Sequence, residues 1–466
     1  LSRKHMDAKS SKKRLREILL AARKQKLTKG LTPVKIRLLF EELGPTYVKF
    51  GQILSMRSDM IPEEYCRELA KLRTDVRPMS FTEVTAILSQ ELAKNGLTPD
   101  EFTAIDPNPL GSASIAQVHK AALKSGEAVV IKIQRPNIKE IMADDIALLR
   151  KASGILKLAA GTEGILDLGT ILDELWRTSQ EEMNFRKEAA HLETFRQNQK
   201  DIKYASCPKV FKNFTTTELL VMEYIDGIRI DDSSSLAKNG YDIEEIASKT
   251  AENYCKQILE DGFFHADPHP GNVHIWDGRI VWLDLGMMGT LTKADAELIK
   301  VCMKAIFSND YVSFADAVLN ICEHDPELDR EAYYARMQAY LDKYRVISMA
   351  QMSSTVVIFA DLYRIARDFG IKVPKSFTMF WRSLSIMEGT VSDLSPKTDL
   401  AAIIGRHMAA QAMVKGVAGS ITRKISHRRL VSGSALHYNG NDLEPDEEFE
   451  EGINEPEEWL DGDTEE

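Results

Sequence analysis

Two short runs hold the residues whose types and spacing could do chemistry. Asp267 and Asn272 are separated by four residues in His265-Ala-Asp-Pro-His-Pro-Gly-Asn272, and Asp284 opens the run Asp284-Leu-Gly286 downstream. Between them, Val273-His-Ile-Trp276 and Arg279-Ile-Val-Trp282 flank Asp277-Gly278, the mark of a two-residue hairpin turn. Counted outward from that turn, Trp276 faces Arg279, Val273 faces Trp282 and Asn272 faces Leu283. Partners across a hairpin lie about 5 Å apart. The Asn272 amide oxygen and the Asp284 carboxylate therefore converge at the open end. Such a pair suits Mg²⁺, which takes one or two protein oxygens plus substrate phosphates. The Asp267-to-Asn272 spacing is that of a kinase catalytic loop, and Asp-Leu-Gly stands where kinases carry Asp-Phe-Gly. Each motif is weak alone; their order, with the hairpin between, carries the reading. The plain alternative has Asp267 and Asn272 capping turns around Pro268 and Pro270.

A site of this kind needs a lysine on a strand and a glutamate on a helix to hold it. Lys132 in Val-Val-Ile-Lys132 fits the first, since a lysine inside an apolar strand is costly unless paired. Glu188, in a helical pattern running to Arg196, fits the second. Gly111, Ser112, Ala113, Ser114 and Ala116 lie ahead of the lysine strand, in a run whose small side chains permit close backbone approach to phosphates. The run lacks a Gly-x-Gly-x-x-Gly pattern. Val221 to Gly227 suits an adenine hinge, with the main chain of Glu223 and Ile225 reading the base and Met222 lining the pocket.

The elements that must position these residues fall into four stretches. Residues 1–105 show apolar residues at helical spacing, with breaks at Gly30, Gly44-Pro45 and Pro78, and predict a helical extension. Residues 106–226 mix short β-branched runs with helical patterns at 138–160 and 165–198, and predict a small lobe with inserted helices. Residues 227–420 read as a mostly helical large lobe, and 421–466 as a linker and acidic tail. Charge follows this division. Residues 442–466 hold fourteen acids and no Lys or Arg, whereas residues 1–37 carry thirteen Lys or Arg against Asp7 and Glu17, within a chain of net charge −10. The tail has too little apolar surface to offset the entropy of ordering. In the basic segment Leu15, Ile18, Leu19, Ala22 and Leu27 recur as one side of an amphipathic helix. That helix either packs on the body or docks on an anionic membrane surface or acidic partner. No aromatic interleaving points to nucleic acid.

Composition excludes several classes. With 44% apolar and 28% charged residues the chain can bury a sizeable core. No run of 18 apolar residues is present, so no spanning helix is expected; Leu400–Ala418 is interrupted by Arg406, His407 and Lys415. The charged N-terminus has no apolar leader segment. Five scattered cysteines without a Cys-x-x-Cys pair argue against a disulfide scaffold or zinc site and fit a reducing, cytoplasmic setting.

Taken with these motifs, the chain resembles the UbiB (AarF/ADCK) family of atypical protein-kinase-like proteins over residues 40–400. Lys49-Phe-Gly-Gln52 looks like the family's Lys-x-Gly-Gln motif, residues 110–119 like its alanine-rich loop, and Glu182-Met-Asn184 stands at its Glu-x-Asp motif. Asn184 replaces the usual acid, and Gly111 opens a loop that is richer in alanine elsewhere in the family. The resemblance implies an α+β, bilobal kinase-like fold. It also implies that Lys49 and Gln52 lie over the nucleotide pocket, with Glu182 facing Lys49, as regulatory residues. ATP and Mg²⁺ are the implied cofactors, and the family's link is to isoprenoid quinone or other prenyl-lipid metabolism. The assigned roles are then Asp267 as base, Lys132 and Glu188 on the phosphates, and Asn272 and Asp284 on the metal. The short stretch from Met287 to a helical pattern at Ala294 leaves little room for a peptide platform. The leading expectation is an ATPase or a phosphotransferase for lipids or small molecules. A nucleotide-switched scaffold without turnover and a small-metabolite kinase are the competitors, and Lys49 to Gln52 argues against the latter.

Overall fold

The computed structural model describes residues 8–26, 30–55, 61–72, 78–160, 168–345, 355–398 and 400–416. The expected linker and acidic tail, and Leu27 of the basic segment, lie outside these residues. The small lobe is built on an antiparallel sheet of Phe102–Ile105, Gly111–Ser112, Ala116–Leu123, Ala128–Gln134 and Leu219–Glu223. Lys132 sits in its middle, paired with Val118 on one side and Leu220 on the other. The two-residue period of the strand decides what faces where. Val129, Ile131 and Ile133 turn to one face and pack with Val84, Leu88 and Leu92. Val130, and with it Lys132, turn to the opposite face, where Val130 packs in the same cluster as Phe185.

The boundary expected at 105/106 is corrected here. Helix Phe81–Lys94, started by a Ser80/Glu83 capping box, covers the back of the sheet, and Phe102–Ile105 is its edge strand. The helical spacing of 81–94 was legible, but it says nothing of which body a helix covers. A four-residue strand shows too little alternation to stand out. The single helical pattern expected over 165–198 is two helices, Leu168–Glu182 and Phe185–Asn198. They part at Asn184, whose side chain caps the second by accepting from the Arg186 N–H at 3.1 Å.

The N-terminal helices Pro33–Leu43 and Pro45–Ser55 share a separate core with the inserted helices Ile138–Ala160 and Leu168–Glu182, through Phe40, Tyr47, Ile53, Ile146 and Leu172. The first helix, Ala8–Lys24, is tied to that body by Arg14. Its guanidinium makes two bonds, at 2.7 and 2.9 Å, to fully buried Asp145 and a third to the Leu43 carbonyl at 2.7 Å. Ala21 is buried and Ile18 and Ala22 pack beside it, whereas Leu15, Leu19 and Leu20 are 47–64% exposed. The helix thus packs on the body by a narrower stripe than its sequence pattern predicts.

In the large lobe, helix Ile243–Lys256 continues into a π-helical turn, Gln257–Asp261, which ends at left-handed Gly262. The hairpin Val273–Trp276/Arg279–Trp282 has the register counted from its Asp-Gly turn. It joins a small sheet with Ala205–Ser206 and Ile228–Arg229. Helices Lys375–Leu394 and Leu400–Gly416 pack on helix Ile243–Lys256, with Phe380, Met387 and Ile403 in the shared core. Among the described residues no helix is long and apolar enough to cross a membrane.

Gly51 shows how tightly the extension is seated. A Cβ there would collide with the side chains of Leu72 and Phe40. Gly51→Val is expected to cost about 1–3 kcal/mol by overpacking, read as a lower denaturant midpoint; an unchanged midpoint would mean that this helix is seated otherwise.

Candidate functional site

The face of the sheet that carries Lys132 meets the helix Phe185–Asn198. The Lys132 ammonium donates to both carboxylate oxygens of Glu188, at 2.9 and 2.8 Å, and to Asp284 at 3.3 Å. Glu188 is buried, while the Asp284 side chain is 55% exposed. Two carboxylates share one ammonium, and the pKa values follow. Burial pushes Glu188 up to about 7, with the charges of Asp284 and Glu182 adding to the rise and Lys132 opposing it. Burial works against the Lys132 ammonium, but Asp284 and Glu188 hold it above the usual lysine range. Lys132 in turn holds Asp284 below the usual carboxylate range. Asp284 is therefore ionised, open on one side, and available to a cation.

Its backbone is unusual. Asp284 has φ +49°, a left-handed conformation that Asp and Asn tolerate better than other non-glycine residues. Two residues on, a Cβ at Gly286 would sit 3.2 Å from the Asp284 carboxylate and 3.6 Å from that of Glu188. Only a glycine leaves that gap clear. His191, one turn beyond Glu188, bonds through Nδ1 to the Leu285 carbonyl at 2.8 Å. One helix thus both pairs the lysine and holds the Asp284-Leu-Gly286 run.

The loop from His265 to Asn272 is fixed from beneath. His265 is fully buried, and burial pulls its pKa down, so the ring is neutral. Its Nε2 meets the Leu283 carbonyl at 3.1 Å, and its Nδ1 accepts the Asp267 N–H at 3.2 Å. A carbonyl only accepts and an N–H only donates, so the proton is on Nε2. The ring thereby ties the backbone of Asp267 to that of Leu283, next to Asp284. Asn272 donates through Nδ2 to the Asp267 carbonyl at 3.2 Å, and its own carbonyl accepts from Leu283 N–H at 2.8 Å. With the amide nitrogen committed, its oxygen is the end left for a metal. Among the described residues no three His, Cys, Asp or Glu side chains could hold a metal by themselves. Asn272 and Asp284 are a partial donor set, which fits Mg²⁺ shared with phosphate oxygens.

Residues 111–116 form a tight hairpin rather than an open loop. Gly111 and Ser112 pair with Val118 and Gln117, and Ala113 N–H closes on the Ala116 carbonyl at 2.8 Å. Gly111 and Ala113 are exposed, whereas Ser114 and Ala116 are buried. Arg135, three residues past the site lysine, clamps the tip. It bonds the Ala113 carbonyl at 2.9 Å, Ser112 Oγ at 2.7 Å and, through its N–H, the Ile115 carbonyl at 2.8 Å. In the expected hinge, Tyr224 N–H bonds the Ala128 carbonyl at 3.0 Å, Glu223 N–H bonds the Lys209 carbonyl at 2.8 Å, and Ile225 is half-buried. Lys49 pairs with Glu182, as the motif resemblance implies, close enough that Glu182 acts on Glu188. Gln52 instead turns back toward the Leu72 carbonyl at 3.5 Å.

The site therefore unites Lys132, Glu188, Asp284, Asn272 and Asp267 from four separate segments: a strand, a helix, the loop from His265 to Asn272 and the run after the hairpin. Sequence reading missed His191, Arg135 and Arg382, whose guanidinium lies 3.6 Å from the Asp267 carboxylate. Arg135 carried a faint signal, an arginine at the end of an apolar strand directly before Pro136.

The model of the ABC1 atypical kinase-like domain matches residues 71–318, and that of the UbiB helical domain matches residues 337–399. The chain belongs to the ABC1/UbiB atypical kinase family. An uncharacterized protein in the hydrogenase 1 5' region of Clostridium pasteurianum is 34% identical over 82% of this chain and 71% of its own length. A probable protein kinase UbiB from Shewanella halifaxensis is 32% identical over 84% of this chain and 73% of its own. Among solved structures, that of the Rv3197–erythromycin complex from Mycobacterium tuberculosis superposes with a TM-score of 0.51 at 20% identity. That match covers 76% of this chain and 89% of the other, and it shows a shared fold.

Two outcomes follow from the buried pair. Lys132→Met leaves Glu188 without its cation and is expected to cost about 3–5 kcal/mol, with the double variant Lys132→Met/Glu188→Leu losing less; equal losses in denaturant melts would deny the pairing. Glu188 also sets a pH dependence. Its folded-state pKa of about 7 exceeds that of the unfolded chain, so the folded protein binds the extra proton and stability falls as pH rises from about 4.5 to 7. Glu188→Gln is expected to flatten that slope when midpoints are compared across the window.

Proposed function

We propose that this cleft binds Mg-ATP and either hydrolyses it or passes its γ-phosphoryl group to a lipid or small-molecule acceptor, in isoprenoid quinone or other prenyl-lipid metabolism. The contact of Lys132 with both Glu188 and Asp284 carries the reading, because it joins the phosphate-binding lobe to the metal-binding one. In this reading Lys132 holds the α- and β-phosphates, oriented by Glu188. The hairpin at Gly111 to Ser114 covers the phosphates, and the main chain of Glu223 and Ile225 reads adenine. Asn272 and Asp284 would hold Mg²⁺, which would neutralise phosphate charge. Asp267 takes the proton of the attacking water or hydroxyl.

A peptide acceptor fits poorly. Only the strand Met288–Thr290 separates Gly286 from the helix Lys293–Ser308. Lys49, paired with Glu182, would latch the entrance in place of a docking platform. Exposed Leu15, Leu19 and Leu20, interleaved with exposed Lys13, Arg16 and Arg23, suit an anionic membrane surface that would present a lipid acceptor.

The deciding experiment measures phosphate release from Mg-ATP, with and without anionic liposomes and an isoprenoid phenol. Release is expected to rise with lipid and to fall by about 10²–10⁴-fold in Asp267→Asn. Nucleotide binding without release above that control would replace the proposal with a nucleotide-switched scaffold.

A further inference from the structure

The loop from His265 to Asn272 contains no lysine or arginine, although it would border the most negative part of a bound triphosphate. The two lysines placed at the cleft are already paired with carboxylates, Lys132 with Glu188 and Asp284, and Lys49 with Glu182. A third cation reaches the cleft from the C-terminal part of the chain. Arg382 lies on helix Lys375–Leu394, and its guanidinium stands 3.6 Å from the Asp267 carboxylate.

The helix that carries it is firmly registered against the loop. Phe380 packs edge-on to Phe264, with ring centres 6.2 Å apart, just before His265. Buried Thr390 approaches the Pro268 carbonyl at 3.4 Å, just after Asp267. The guanidinium is thus delivered to Asp267 by contacts on both sides of it. The ion pair itself is loose: its distance exceeds that of a hydrogen bond, and the two side chains are 38% and 40% exposed. Exposed pairs of this kind cost little to rearrange. An attacking oxygen would sit about 3 Å from Asp267 and about 3–3.5 Å from phosphorus. The γ-phosphoryl oxygens are then within a side-chain rotation of Arg382. A planar fork with five donors can keep the carboxylate and take phosphoryl oxygens at once.

We propose that Arg382 is the γ-phosphate-binding cation of this site, supplied by the C-terminal helix instead of the loop that holds the base. The inference rests on the Mg-ATP reading above. Arg382 contacts phosphoryl oxygens and takes part in no bond that forms or breaks.

Nucleotide pairs test it. Mg-ATP and Mg-ADP affinities are measured by titration calorimetry on the full chain, for the wild type, Arg382→Gln and Arg382→Lys. Arg382→Gln is expected to weaken ATP on the order of ten-fold or more, the loss of a charge-assisted contact, while ADP stays within about two-fold. Arg382→Lys is expected to recover most of the ATP affinity. An equal loss for both nucleotides, or none for either, in a wild type that binds both would overturn the role of Arg382 and leave the nucleotide reading standing. A wild type that binds neither nucleotide would overturn both. Thermal midpoints check folding, and if the glutamine variant is unfolded the lysine variant decides: it must keep the wild-type ATP-to-ADP affinity ratio to within a few-fold.

Discussion

Burying a carboxylate is expensive, and burying one beside a second carboxylate is more so. Glu188 is tolerated only because Lys132 reaches it, and Lys132 is tolerated in an apolar strand only because Glu188 and Asp284 wait for it. Neither group can be satisfied unless the sheet, the helix Phe185–Asn198 and the end of the hairpin are all in place. The interaction therefore acts as a check on assembly. His191, on the same helix, adds a neutral bond to the Leu285 carbonyl, so that the register of this joint does not hang on charge alone.

The same logic runs through the polar core beneath the loop. Asn253 accepts from the indole N–H of Trp282 at 2.9 Å and from Gln257 at 3.0 Å, and Gln257 in turn accepts the His265 N–H at 3.0 Å. Asn253, Gln257, Trp282 and His265 all find partners in this network, which is what makes it rigid. The π-helical turn at Gln257–Asp261 brings Gln257 into that chain. The loop that carries Asp267 therefore stands on a platform that extends across the lobe.

What could be read from the chain and what could not divide along the range of the forces involved. The hairpin register at Asp277-Gly278, the alternation that turns Lys132 from the far side of the sheet, and the order of Asp267, Asn272 and Asp284 are local properties. The structure reproduces the register residue for residue. The break at Asn184 was hidden because helical periodicity runs through it; only the cap on Arg186 N–H marks it. Phe102–Ile105 was assigned to the wrong body because a short edge strand borrows its identity from its partner, Ala116–Leu123. Arg382 and Arg14 were invisible for a related reason. Each works through a carboxylate more than a hundred positions away, Asp267 and Asp145, and nothing in the local pattern of either arginine names that partner.

The left-handed backbone at Asp284 limits what this position can become. Among ordinary residues, Asn and Gly enter that conformation most readily, and β-branched or bulky ones resist it. The bend and the proposed role of the carboxylate as a metal ligand thus restrict the same codon for different reasons. A descendant that abandoned nucleotide chemistry would be released from the need for charge but not from the need for the turn. Its footprint there would be asparagine or glycine, a residue that keeps the shape of the site after its purpose has gone.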